Sequence, residues 1–128
     1  MPIHVVGKIA DALNSLGKPI RDKRLLLMGA AYKADVHDTR ESPSLVVMRD
    51  LLVRGADVRL CDPWVPQVQL DGREHHSVEW CAEEVAAADC VVMLTPHSHF
   101  LEHSLWEHAE LIVDTRNVVP VAENVWQI

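Results

Sequence analysis

The chain is predicted to be an α/β fold: a parallel sheet with helices on both faces, preceded by an N-terminal helix. Three observations lead there. Amphipathic stretches alternate with short apolar runs along the 128 residues. The runs Leu25-Leu26-Leu27-Met28 and Cys90-Val91-Val92-Met93-Leu94 lack polar alternation, as strands buried on both faces do. The runs are also separated by helix-length segments, which parallel strands need for their crossovers.

Each element has its own signal. Val5, Val6, Ile9, Leu13 and Leu16 recur at helical spacing and Gly17 follows as a stop. Met1-Pro2-Ile3-His4 gives this helix no clear N-cap, so the chain is expected to open inside a longer helix. Arg24 to Met28 reads as the first strand. Ser42-Pro43 starts a helix running to Arg54, with Leu45, Met48, Leu51 and Leu52 on one face and Gly55 as its stop. Asp57 to Cys61 is a second strand, followed by a loop holding Pro63, Pro66 and Gly72 and a short strand near His75 and His76. Ser77 is read as the N-cap of a helix through Ala87, with Val78, Cys81, Val85 and Ala88 inward. Cys90 to Leu94 is the third strand, Phe100 to His108 a helix, and Leu111 to Val113 the fourth strand. The last eight residues are a tail or edge element.

Composition narrows the function. One domain fits the length, and 48% hydrophobic with 24% charged residues is ordinary for a globular protein. A formal charge of −7 argues against non-specific nucleic-acid binding. The apolar runs fall far short of the roughly 18 residues a bilayer span needs, and no basic-then-apolar leader is present, so no membrane role is expected. Cys61, Cys81 and Cys90 show no Cys-x-x-Cys spacing; they read as buried free thiols in a reducing, cytoplasmic setting.

Right-handed crossovers place every strand's C-terminal end on one edge, where ligands of open α/β sheets collect. That edge gathers Gly29 to Arg40, Asp62, Thr95 to His99, and Asp114 to Asn117. Lys33 and Arg40 stand between a strand end and a helix start, a position suited to an anion; equally, Lys33 could be solvated and Arg40 paired with Asp38 or Asp35. The Gly-x-Gly-x-x-Gly cradle of dinucleotide sites is absent, only Gly29 being present. Asp62 could hold a ribose hydroxyl or, before Pro63, start a turn. Arg116 could grip a phosphate or pair with Asp114. His99 and His103 are four apart, with His97 and Glu102 nearby, but no His-Glu-x-x-His supports a metal; solvated helix histidines are the expectation. Neither a serine elbow nor a cysteine in a glycine-rich turn is present, so the chain is expected to do no chemistry alone.

Gly29-Ala30-Ala31-Tyr32-Lys33-Ala34-Asp35, Asp38-Thr39-Arg40-Glu41-Ser42-Pro43, Arg54-Gly55-Ala56 and Asp62-Pro63-Trp64-Val65-Pro66 stand in one order. Thr95-Pro96-His97 and Asp114-Thr115-Arg116-Asn117 continue it. Together they resemble the carboxy-terminal UDP-binding domain of the UDP-glucose/GDP-mannose dehydrogenase family. The resemblance implies a Rossmann-like parallel sheet flanked by helices, with residues 1–17 as the end of the family's central interdomain helix and 18–128 as the UDP-sugar-binding domain. It implies that Lys33, Tyr32 and Arg116 bind the UDP-sugar, and that Arg40 reaches towards the pyrophosphate of NAD. NAD itself, the family's cofactor, would be held mainly by an amino-terminal domain, and the catalytic cysteine would lie in the central region. Implied partners are those other domains, the UDP-sugar and a second subunit.

The family oxidises the C6 alcohol of a nucleotide sugar to a uronic acid, here UDP-glucose or a UDP-N-acetylhexosamine; the Met-Pro-x-His-Val-Val start is closer to the second branch. Two positions depart from the pattern: His37 stands where an acid or glycine is usual, and Cys61 replaces an aromatic. An alternative reading is a non-catalytic assembly module, its first helix packing on a partner domain or subunit.

Overall fold

The computed structural model describes residues 2–31, 35, 42–102 and 105–127. In chain order the elements are α1 (Pro2–Ser15), β1 (Arg24–Met28), α2 (Pro43–Val53), β2 (Asp57–Cys61), β3 (Gln67–Leu70), β4 (Arg73–His76), α3 (Ala82–Ala87), β5 (Cys90–Met93), α4 (Ser98–Glu102), a 3-10 turn (Trp106–His108), β6 (Ile112–Asp114) and β7 (Val125–Gln127). Five strands form one parallel sheet in the order β2-β1-β5-β6-β7. The predicted α/β architecture is the one observed.

Alternation along the strands divides the core in two. Leu25, Leu27, Cys90, Val92 and Val113 face Val6, Ile9 and Leu13 of α1 and Val47, Met48 and Leu51 of α2. Leu26, Met28, Val91, Met93 and Ile112 face Trp80, Val85 and Phe100. With both faces covered, neither set can be polar, which is why the strands read as unbroken apolar runs. Each such buried side chain contributes about 1.5–3 kcal/mol before entropy is set against it.

Helix ends follow their sequence signals. The Lys18 and Gly17 amides bond back to Leu13 and Asn14, and those of Ala56 and Gly55 to Leu51 and Leu52, so both glycines close Schellman motifs. Ser42 is the N-cap of α2: extended, its Oγ accepting the Ser44 amide at 3.3 Å, with Pro43 in the first turn.

Other elements differ from expectation. Ser77 is not a helix cap; its Oγ donates to the Val65 carbonyl at 2.6 Å, and the Val78 amide bonds Leu60. Ser77 and Val78 therefore bridge to Leu60 of β2, and α3 starts only at Ala82. The predicted Phe100–His108 helix is α4 plus a separate 3-10 turn. The strand expected near His75 and His76 is half of an antiparallel hairpin, β3–β4, and the tail supplies the edge strand β7. Leu16, the last apolar residue of the helical spacing, is exposed. No helix among the described residues is long and apolar enough to cross a membrane.

Candidate functional site

β1 lies between β2 and β5, so successive connections leave it in opposite directions and open a crevice at its C-terminal end. The loops meeting there follow β1, β2 and β5, with the β6 loop alongside. Asp62, at the end of β2, ties the first three together. Its Oδ2 accepts the amides of Ala30 at 2.7 Å and Ala31 at 3.2 Å and lies 2.9 Å from His97 Nε2. Its Oδ1 accepts the amides of Trp64 at 2.7 Å and Val65 at 3.1 Å. The side chain is 0% exposed and its carboxylate is fully engaged by the protein. Asp62 is thus a turn and loop organiser, and the ribose alternative finds no free lone pair.

Burial pushes the Asp62 carboxyl up, but hydrogen bonds from His97, Ala30 and Trp64 outweigh it and hold the group below the usual carboxylate range. Asp89 is lowered as well, desolvation being outweighed by the Arg24 amide and Lys18. A carboxyl whose folded value lies below its unfolded one stabilises the fold above the unfolded value, near 3.8, and loses that contribution as pH falls through the folded value. The urea midpoint is therefore expected to hold steady from pH 7 to about pH 4 and to fall below it. A midpoint unchanged down to pH 3 would contradict this assignment.

The first loop is anchored at both ends. Thr95 Oγ1 donates to the Ala31 carbonyl at 2.9 Å and Ser42 Oγ reaches the same oxygen at 3.5 Å. Between them, the Asp35 amide donates to His97 Nδ1 at 2.8 Å. The Asp35 carboxylate accepts the Ser98 amide at 2.8 Å and its hydroxyl at 2.5 Å, contacts that lower its pKa. An open cleft of about 500 Å³ lies beside this network, lined by Asp35, Pro63, Trp64, Ser98, His99 and Glu102.

Arg116 follows β6 on the same edge. Its Nε donates to the Leu94 carbonyl at 3.0 Å, past the end of β5. Buried Asp114 accepts the backbone amides of Arg116 at 3.0 Å and Val119 at 2.8 Å. Asp114 therefore shapes the loop, and among the described residues no carboxylate pairs with the guanidinium. Tyr32, Lys33 and Arg40 lie outside the described residues, as do His37 and His103. His97, placed on the ligand edge and weighed as a metal neighbour but given no role of its own, is a fully buried hub. Its signal was its place in Thr95-Pro96-His97, the short segment that follows the apolar run ending at Leu94.

Gly29 is the one glycine of the first loop, and it does not provide a phosphate cradle. A Cβ there would lie 2.4 Å from Thr95 Cβ, so the space is already filled by protein. The residues present do not fit a dinucleotide pyrophosphate at this turn. Nor do two of the cysteines suit nucleophilic work, since burial pushes the Cys61 and Cys90 thiols up to about 12.

Comparison with known proteins agrees with this geometry. The chain is 33% identical to UDP-N-acetyl-D-mannosamine dehydrogenase of Methanococcus vannielii over 99% of its own length and 29% of the relative's. It is 38% identical to rat UDP-glucose 6-dehydrogenase across 45% of the chain and 12% of that enzyme. The structure superposes on UDP-D-ManNAc dehydrogenase from Pyrococcus horikoshii with TM-score 0.81 and 26% identity, covering 100% of this chain and 30% of that one. The chain thus spans less than a third of the relatives it matches along its length. Residues 26–121 match the model of the UDP-glucose/GDP-mannose dehydrogenase family's UDP binding domain, and the chain belongs to that family as its C-terminal UDP-binding domain.

Proposed function

We propose that this domain forms the UDP-sugar-holding wall of a nucleotide-sugar 6-dehydrogenase, which oxidises the C6 alcohol of UDP-glucose or a UDP-N-acetylhexosamine with NAD. Arg116 carries the reading: its Nε is fixed to the Leu94 carbonyl, so the rest of the guanidinium is aimed from the sheet edge as a preformed anion fork. Lys33 and Tyr32 complete the substrate contacts and Arg40 turns towards NAD, by the family pattern. The neighbouring cleft carries Asp35 and Glu102 and repels phosphate, so the diphosphate belongs with the cations and the cleft with an uncharged part of a ligand. NAD is held mainly by another domain, in keeping with the filled space at Gly29. Residues 1–17 are the end of the central helix, and the whole enzyme is a homo-oligomer working in the cytoplasm.

The assembly alternative is not favoured, because the apolar face of α1 (Val6, Ile9 and Leu13) is buried on its own sheet. Calorimetric titration of UDP into the chain tests the reading. Arg116→Ala removes a charged hydrogen-bonding group worth about 1.5–3 kcal/mol, so affinity is expected to fall on the order of 10- to 150-fold. Adding Lys33→Ala should abolish measurable binding. A double variant that binds UDP like the wild type refutes the assignment.

A further inference from the structure

We propose that the buried Asp62–His97 pair is a positioning device for UDP binding that fixes Ala31 and Asp35, the two described positions of the ligand loop on either side of Lys33 in the sequence, an inference that rests on the UDP-binding reading. His97 is 0% exposed, and both ring nitrogens are engaged in ways that admit one tautomer. The Asp35 amide can only donate, so Nδ1, 2.8 Å away, must present a lone pair. The proton then sits on Nε2, 2.9 Å from the Asp62 carboxylate, which can only accept. Carboxylate, imidazole and loop amide form one directed chain.

That chain ends at Asp35, close in sequence to the candidate ligand residue. Lys33 stands between Ala31 and Asp35, two residues from each. Both flanks are held by the same network: the Ala31 amide by Asp62, its carbonyl by Thr95, and the Asp35 amide by His97. Asp35 is gripped a second time through its carboxylate, which holds Ser98 at the start of α4. It takes a left-handed φ of 59°, a conformation an unrestrained aspartate seldom occupies. Holding the loop before the ligand arrives spares the ordering cost that binding would otherwise carry.

A phenyl ring fills the space of the imidazole beside Phe100, whose ring centroid is 5.7 Å away, but it can neither accept the Asp35 amide nor donate to Asp62. His97→Phe is therefore expected to weaken UDP binding at least tenfold while the chain still melts cooperatively. Phe100→Leu, altering an equally buried neighbour outside the relay, should lower the melting temperature yet leave UDP affinity within about twofold. Equal losses in the two variants, or none in His97→Phe, overturn the proposal. If His97→Phe does not fold, nitrogen-15 NMR of the wild-type chain decides. An unprotonated Nδ1 with a slowly exchanging Asp35 amide supports the device; a protonated Nδ1 or a freely exchanging amide overturns it. A wild-type chain that takes up no UDP refutes the site reading instead, and the NMR result then judges the device separately.

Discussion

Asp62→Ala is expected to remove a large share of the stability of this domain. The carboxylate accepts from four backbone amides, those of Ala30, Ala31, Trp64 and Val65, and from the His97 imidazole. Water cannot readily replace it, because the residue is buried beneath the loops it joins. Each buried donor left unpaired costs about 1–3 kcal/mol. Such losses do not add fully when the groups share one partner, so about 3–5 kcal/mol is the expected total, as for breaking one side of a buried charged network. Domains of this kind are stable by about 5–15 kcal/mol in all, so the variant should unfold at markedly lower urea or fail to accumulate folded. Asp62→Asn should do less harm, since its amide oxygen can still serve the Trp64 and Val65 amides. A loss below about 1 kcal/mol for Asp62→Ala would mean that solvent reaches these donors after all.

That role was only partly legible in the residues. Asp62-Pro63 announced a turn, because aspartate before proline starts turns by bonding amides ahead of it, and Oδ1 does so with Trp64 and Val65. The bonds from Oδ2 run to Ala30 and Ala31, more than thirty residues earlier, and no local pattern reports a partner that distant. The long elements were readable because their signals are local. Leu25 to Met28 is apolar throughout, Ser42-Pro43 caps α2, and Gly17 and Gly55 end their helices. The short ones were not. β7 exists because β6 offers it an edge, and Ser77 was drawn from its capping role by the Val65 carbonyl. His97 shows the same limit. Its exposed neighbour His99 stands two residues on in the same histidine-rich stretch, and only the fold tells the buried relay from the exposed ring.

The other large effect is expected at Gly29, where the strand hands over to the ligand loop. Its φ of 102° lies where side chains are rarely tolerated, and a Cβ would come within 2.4 Å of Thr95 Cβ and 2.8 Å of the Thr95 amide nitrogen. Thr95 cannot simply step aside. Its amide bonds the Met28 carbonyl and its hydroxyl holds the Ala31 carbonyl, so any shift breaks the contacts that close the crevice. Backbone strain of about 1–3 kcal/mol and overpacking of a similar size act together in Gly29→Ala, and a loss of about 3 kcal/mol or more is expected. Gly7→Ala is the internal comparison. Gly7 lies exposed in α1 with nothing within 4 Å of the added methyl, so alanine should stabilise the helix by roughly 0.5–1 kcal/mol. Denaturant midpoints moving in opposite directions for the same chemical change would show that Gly29 serves the packing of the β1 and β5 loops. If Gly29→Ala were as stable as the wild type, the close approach of Thr95 would be wrong, and the argument against a phosphate cradle at this turn would lose its basis.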